Sequence, residues 1–415
     1  MTKCLEVLVG GKLIGHLYDR SPLTFLYANE CLSGLLQSPI SNIIPLIPGD
    51  IATPEVLAYF ENLLPEGDQR RSLEEKHHVS SVFGLLWTAG WDTAGAIVLQ
   101  PEGLSPNIPE YVKHNWADIA AIISGHSNQG DSSKASISGA QYKLLLSIDD
   151  IDASPLLPLG SSPSTHILKP NIQRAGQKIW ATAINETLMM RAAAKCGLQT
   201  AHVDYIGDVK ACLVTRYDRV VNDKQVTRLN QFDLCQLLKT PSGLKYESEG
   251  GPGFVKCYLQ VKAVSTNPVK DCESLLKWLF FNLYIGNNDS HAKNLSMLQT
   301  SEGFRLAPFY DLMCTTVYPG FSSNFAFSIG GTFKPGEMTG VEIKALADAI
   351  NVSTKFMFKL AKDMADRVLP AIQESIQELQ SSFNPSDAVM AERLSHKVTS
   401  ICKKRSAKFL APHTN

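Results

Sequence analysis

The run Leu275-Leu-Lys-Trp-Leu-Phe-Phe-Asn-Leu-Tyr-Ile285 is almost wholly apolar and leads directly into Gly286-Asn-Asn-Asp-Ser-His-Ala-Lys-Asn294. A segment apolar all round belongs in a core, so it predicts a buried helix that delivers a polar loop. After the loop, Leu295-Ser-Met-Leu298 and Phe304-Arg-Leu-Ala307 flank the turn Gln299-Thr-Ser-Glu-Gly303, which is hairpin patterning. The hairpin ends at Pro308-Phe-Tyr-Asp311. Buried helix, polar loop, hairpin and acid, in that order, restrict the surrounding fold more than any other stretch.

This arrangement suits phosphoryl transfer. One carboxylate accepts the proton of an attacking hydroxyl, while an Asn and a second carboxylate hold Mg²⁺ against ATP phosphates. Asp289 and Asn294 have the Asp-x-x-x-x-Asn spacing of a protein-kinase catalytic loop, and Asp311 follows as the later metal-binding acid. The spacing alone also describes an ordinary polar loop between a core helix and a hairpin.

A chain of 415 residues is long enough for two or three domains. Its net charge of −1 gives no field favouring nucleic acid. The nine cysteines are odd in number, scattered and without a Cys-x-x-Cys, which points to reduced thiols in the cytoplasm. The ten histidines form no ligand-spaced pair, so no zinc site is expected. The first residues lack a signal-peptide apolar region, and the most apolar stretch, 81–99, is broken by Gly84, Gly90, Asp92 and Gly95, so no membrane span is expected.

The chain begins with alternating runs on either side of Gly10-Gly11, a hairpin signal, and Thr24–Tyr27 reads as a third strand. Residues 54–64 predict a helix capped by Thr53, and 69–89 another; 94–99 reads as a strand. A linker over 101–109 and a helix near 114–124 follow. Ser136-Ile-Ser138-Gly139-Ala140-Gln141 precedes an apolar strand at 144–148; such small residues either admit an anion to the backbone or make a tight turn. Thr165–Lys169 reads as a strand ending in a lysine. In the helix 183–196, Glu186 is either that lysine's partner or a first-turn acid suited to the helix dipole. Strands at 201–206 and 211–215 complete a kinase N-lobe order. Helices are expected at 231–239, 254–263, 269–285, 341–350, 354–378 and 386–405, and a strand at 325–331. The Gly-rich segment Lys245–Gly253 is either an exposed turn or a loop near substrate.

With these pieces in order, the chain resembles the HipA family of bacterial serine/threonine kinases, toxins of toxin–antitoxin operons. The resemblance rests on Asn62-Leu-Leu-Pro-Glu66, Asp92-Thr-Ala-Gly-Ala96, Ser138-Gly-Ala-Gln-Tyr-Lys143, Thr165–Lys169, Arg216-Tyr-Asp-Arg219, Lys245–Gly253, Gly286–Asn294 and Pro308–Asp311. It implies an α+β, two-lobed protein-kinase-like fold: a small N-terminal module over 1–105, an N-lobe over 106–228 and a mostly helical C-lobe over 229–415. Two departures are Phe232, where family members often carry an acid, and Tyr142, where the best-known member carries one.

The resemblance also implies roles. Asp289 would be the catalytic base, with His291 and Lys293 in the catalytic loop and Lys293 near the transferred phosphate. Asn294 and Asp311 would bind Mg²⁺, and Lys169 the ATP phosphates. Ser138, Gly139, Ala140 and Gln141 would cover the phosphates, and Thr215–Tyr217 would be the hinge against adenine. Autophosphorylation of Ser136 or Ser138 would inactivate the enzyme, since added negative charge repels ATP. The implied partners are a helix-turn-helix, HipB-like antitoxin, DNA only through that antitoxin, and a protein substrate of the aminoacyl-tRNA synthetase class. A low-activity module that mainly docks on the antitoxin is the other reading. A small-molecule or lipid kinase is disfavoured by the N-terminal module.

Overall fold

A computed structural model describes residues 3–104, 108–125, 141–173, 176, 178–222 and 225–411. The chain falls into two compact units. The first comprises Met1–Lys169, Thr215–Gly243 and Leu298–Thr300; the second comprises Pro170–Val214, Leu244–Met297 and Ser301–Asn415.

In the first unit, β1 (Cys4–Val9) and β2 (Lys12–Tyr18) form the hairpin expected around Gly10 and Gly11, and both glycines have positive φ. With β3 (Thr24–Tyr27) and the later β4 (Ile97–Pro101) they make an antiparallel sheet of order β3-β2-β1-β4. Its helices are α1 (Asn29–Leu32), α2 (Pro54–Glu61), α3 (Gly67–His77) and α4 (Val82–Ala89). The single helix expected over 69–89 is thus two. His78 takes the left-handed conformation that ends α3, and the Ser81 hydroxyl accepts from Gly84 N to start α4. Thr53 precedes α2, but its side chain makes no cap bond, and the helix stops at Glu61.

Next come β5 (Glu110–Lys113), α5 (Trp116–Ile123), β6 (Leu144–Ile148), β7 (Pro155–Leu159) and β8 (His166–Pro170). Asn115 and Asp118 cap α5 reciprocally. The four strands lie antiparallel in the order β5-β7-β6-β8. β5 and β7 have no counterpart among the strands expected from the sequence; β7 carries two prolines, Pro155 and Pro158, and β5 is largely exposed.

In the second unit, α6 (Thr182–Lys195) is buried on nearly every face, and β9 (Val203–Ile206) pairs antiparallel with β10 (Ala211–Thr215). In the first unit, the ribbon β11 (Arg219–Asn222) and β12 (Gln225–Arg228) precedes β13 (Gln231–Asp233) and α7 (Leu234–Leu237), where one helix was expected. Asp233 and Gln236 form a capping box. Phe232 is 2% exposed beside Tyr59, and the Gln236 amide donates to Tyr59 O. The Phe at this departure from the family is therefore a core residue.

The rest of the second unit holds α8 (Phe254–Val264), α9 (Pro268–Ile285), the strand β15 (Gly303–Leu306), α10 (Gly340–Ala349), α11 (Thr354–Leu379) and α12 (Pro385–Phe409), with β14 (Ser296–Thr300) starting in this unit and its last three residues counted in the first. α11 is amphipathic and packs its apolar stripe on α6, α9, α10 and α12. The segment 325–331 is not a strand; it is a loop closed by a bridge between Ile329 and Thr332, with Phe325 and Phe327 turned into the core. All nine cysteines are free and buried. Among the described residues no helix is long and apolar enough to cross a membrane.

Candidate active site

The catalytic-loop candidate is held by the end of α9. Asn267 caps the start of this helix, with Pro268 in its first turn. From Leu275 onward it is almost entirely buried. Gly286 ends it at φ +74°, and a Cβ there would lie 2.4 Å from Thr316 Oγ1 and 2.8 Å from Ile401 Cδ1. The amides of Gly286 and Asn287 both donate to Asn282 O, at 3.1 and 3.0 Å. Asn287 Nδ2 donates to Asn282 Oδ1 at 2.8 Å, and Asp289 N donates to Asn287 Oδ1 at 3.3 Å. The Thr315 hydroxyl donates to Gly286 O and accepts from Asn288 N. Every residue from Asn287 to Asn294 is buried except Asp289, which stands exposed at the tip. The fold thus rigidifies the loop and presents one carboxylate to solvent.

Asp311 arrives by a second anchored route. Asp271 on α9 pairs with Arg305 on β15 and accepts from Leu306 N and the Ser265 hydroxyl. Burial would raise the Asp271 carboxyl, but the Arg305 and Ser265 hydrogen bonds win and lower it. Phe309 stacks on Trp278 with ring centroids 6.0 Å apart, and its backbone bonds Gln199 O and Ala201 N. Asn185 on α6 clamps the following segment through both the N–H and C=O of Cys314. Asp311 itself sits at φ +61°, in the left-handed region. There Asn294 Nδ2 donates to Asp311 Oδ2 at 2.9 Å, while Asn294 Oδ1 accepts from His291 N at 3.0 Å. Two residues 17 apart in sequence are thereby joined. A carboxylate and an amide oxygen are hard donors of the type Mg²⁺ takes, so the donor chemistry of the pair fits such an ion, with the amide turned here to present Nδ2 rather than Oδ1 to Asp311.

His291 and Lys293 are 6% exposed. Burial, with the nearby Lys245 and Lys293 charges, holds the His291 imidazole well below its ordinary 6.5, so it is neutral at physiological pH. The Tyr310 hydroxyl donates to Lys293 O at 2.6 Å and fixes that stretch of loop. Tyr246, from the Gly-rich segment, donates to Asp289 Oδ1 at 2.6 Å and meets the His291 ring edge-on at 5.1 Å. Of the two readings of that segment, the structure supports a loop at the site. No spacing rule tied Tyr246 to Asp289; the only signal was the glycine density.

Lys169, at the end of β8, is 4% exposed. Thr215 and Tyr217 flank Arg216, which is 3% exposed, and Gln141 is partly buried just before β6. Ser136, Ser138, Gly139 and Ala140 lie outside the described residues. Glu186 is 1% exposed, and no acid lies in the first turn of α6. The dipole reading of Glu186 therefore fails, since a carboxylate so buried needs specific compensation.

Asp92–Ala96 and Arg216–Arg219, more than a hundred residues apart in sequence, meet in the first unit in a buried ionic knot. Asp92 accepts from Arg219 at 2.7 Å, Arg228 at 3.1 Å and Arg216 at 3.3 Å, and from the Ser164 hydroxyl at 2.6 Å. Asp218 binds Arg216 and Arg219 and accepts from Gly95 N. Burial would raise Asp92, but Arg219, Arg216 and Arg228 together hold it far below the usual carboxylate range. Burial and repulsion from Arg216 lower Arg219 to about 10.

Comparison with known proteins identifies the family and the fold. The HipA N-terminal domain family matches residues 5–100 and the HipA-like C-terminal domain family matches residues 135–374. The chain is 32% identical over 399 residues to the Sinorhizobium fredii protein Y4mE, covering 92% of this chain and 94% of that one. It is 30% identical over 406 residues to the serine/threonine-protein kinase toxin HipA of Shewanella oneidensis, covering 90% of each. The solved complex of Shewanella oneidensis HipA, HipB and operator DNA contains a chain that matches with a TM-score of 0.81 and 27% identity, over 98% of this chain and 97% of that one. The fold is the two-lobed α+β kinase type, and the chain belongs to the HipA family of serine/threonine-protein kinases.

Proposed function

We propose that this chain is an ATP- and Mg²⁺-dependent kinase acting as the toxin of a toxin–antitoxin pair. The observation that carries the reading is the Asn294–Asp311 contact beside a rigid loop whose one exposed residue is Asp289. Asp289 takes the proton from a serine or threonine hydroxyl as it attacks. Asn294 and Asp311 would hold Mg²⁺, which neutralises phosphate charge when bound. Lys293 lies near the transferred phosphate, and neutral His291 packs beneath the loop and braces it. Lys169 binds ATP phosphates, the 138–141 segment covers them, and Thr215–Tyr217 meets adenine. Phosphorylation at Ser136 or Ser138 switches the enzyme off by charge repulsion.

The protein substrate belongs to the aminoacyl-tRNA synthetase class. The partner is a HipB-like helix-turn-helix antitoxin, which the HipA–HipB–operator DNA complex of the Shewanella relative supports; operator DNA is contacted only through that antitoxin. Nine buried thiols suit the reducing cytoplasm.

The test is intact-mass and phosphopeptide analysis with ATP–Mg²⁺, beside Asp289→Ala. Phosphate on Ser136 or Ser138 that disappears in the variant supports kinase and self-inactivation together. Absence of both phosphate and ATP binding moves the reading to an antitoxin-docking module of low activity.

A further inference from the structure

The segment that carries Tyr246 is built to hold it still. Gly251 N donates to Tyr246 O at 2.9 Å, and a Cβ on Gly251 would lie 2.0 Å from Leu244 O. The Glu247 carboxylate accepts from Ser328 N at 2.7 Å, and a Cβ on Gly253 would meet the Glu247 carboxyl at 2.7 Å. Only glycines let this turn close, and the closed turn fixes the tyrosine backbone. The ring is fixed in turn by its edge-on contact with buried His291, with an interplanar angle of 84°. Lys245 Nζ lies 5.3 Å from the centroid of the same ring.

The phenol therefore reaches Asp289 from a rigid support, and the 2.6 Å bond has the length of a charge-assisted hydroxyl–carboxylate hydrogen bond. A hydrogen bond to one carboxylate oxygen narrows a terminal torsion that is intrinsically broad. We propose that Tyr246 is a positioning residue for phosphoryl transfer: by donating to Oδ1 of Asp289 it turns Oδ2 towards the acceptor hydroxyl. The phenol keeps its proton throughout, being far less acidic than a carboxyl. This inference rests on the reading of Asp289 as the base.

The experiment uses the full chain and the initial rate of autophosphorylation from radiolabelled ATP–Mg²⁺ over a range of ATP concentrations. The variants are Tyr246→Phe, Asp289→Asn and the pair together. Tyr246→Phe keeps the ring on His291 and should lower kcat about ten- to a hundred-fold, from loss of one charge-assisted bond. KM for ATP should stay within about two-fold, because the bond aligns the acceptor side rather than ATP. Tyr246→His, which keeps a ring and a donor, should recover part of the rate, and it serves as the readout if the Phe variant melts early. In the Asp289→Asn background, Tyr246→Phe should cost nothing further. An inactive Asp289→Asn with a wild-type rate for Tyr246→Phe overturns the positioning role. So does a double variant slower than Asp289→Asn by the full single-variant factor, or phosphate found on Tyr246 itself. An active Asp289→Asn instead overturns the base assignment, leaving a different signature.

Discussion

Replacing Gly286 by alanine tests how the helix end controls the active loop. At φ +74° an alanine bears the left-handed penalty of about 1–2 kcal/mol. Its Cβ would also stand 2.4 Å from Thr316 Oγ1 and 2.8 Å from Ile401 Cδ1. The isoleucine methyl is a flexible chain end and can yield; Thr316 is β-branched and stiff, so overpacking adds about 1–3 kcal/mol. The sum is about 2–5 kcal/mol. With a urea slope of about 3 kcal/mol per molar for a unit this large, the unfolding midpoint should fall by about 1 M. Gly250 provides the control: its φ is +93° but nothing lies within 4 Å of its missing Cβ, so Gly250→Ala should bear the backbone penalty alone. Adding Thr316→Ala to Gly286→Ala should return part of the loss. Because Asp289 is three residues along the same loop, a shift of about 1 Å should slow phosphotransfer about a hundred-fold. A Gly286→Ala midpoint equal to that of Gly250→Ala, with undiminished activity, would refute this account of the loop.

Other expectations concern the charged and buried groups. Asp92→Asn leaves Arg216, Arg219 and Arg228 without their shared anion and should destabilise by about 3–5 kcal/mol, read from the urea midpoint; a loss under about 1 kcal/mol would contradict the knot. His291 is held neutral in the fold but gains a proton when unfolded below 6.5. Stability should therefore be full above that value and decline as pH falls beneath it towards the lower folded value, and His291→Asn should flatten the slope between pH 7 and 5. Arg405 on α12, lowered to about 10 chiefly by burial, donates to Leu283 O near the end of α9. Arg405→Met should cost about 1.5–3 kcal/mol and speed hydrogen exchange in the loop that follows; unchanged exchange would count against the brace. Asp289→Ala should reduce phosphotransfer by about three orders of magnitude or more in the same assay that reports ATP binding.

What the amino-acid order determined was local. The hairpin at Gly10-Gly11, the apolar helix ending at Gly286, the loop from Asn287 to Asn294 and the hairpin before Asp311 follow from side-chain period and turn chemistry, which act over a few residues. So does the order of acid, amide and acid along the chain, and with it the choice of candidates. What only the tertiary structure decided depends on partners distant in sequence. Arg216 and Asp92 are 124 residues apart, and a dry ionic knot exists only once the fold has removed water from both. Residues 231–239 became a strand and a short helix because Phe232 and Gln236 are claimed by Tyr59, overriding helix propensity. Glu186 lies beyond the first turn and is 1% exposed only because α6 starts at Thr182 and is buried on nearly every face. Tyr246 met Asp289 across 43 residues, through a turn whose closure depends on glycines and on Glu247. Desolvation and close approach are properties of the packed state, and no pattern of neighbours along the chain encodes them.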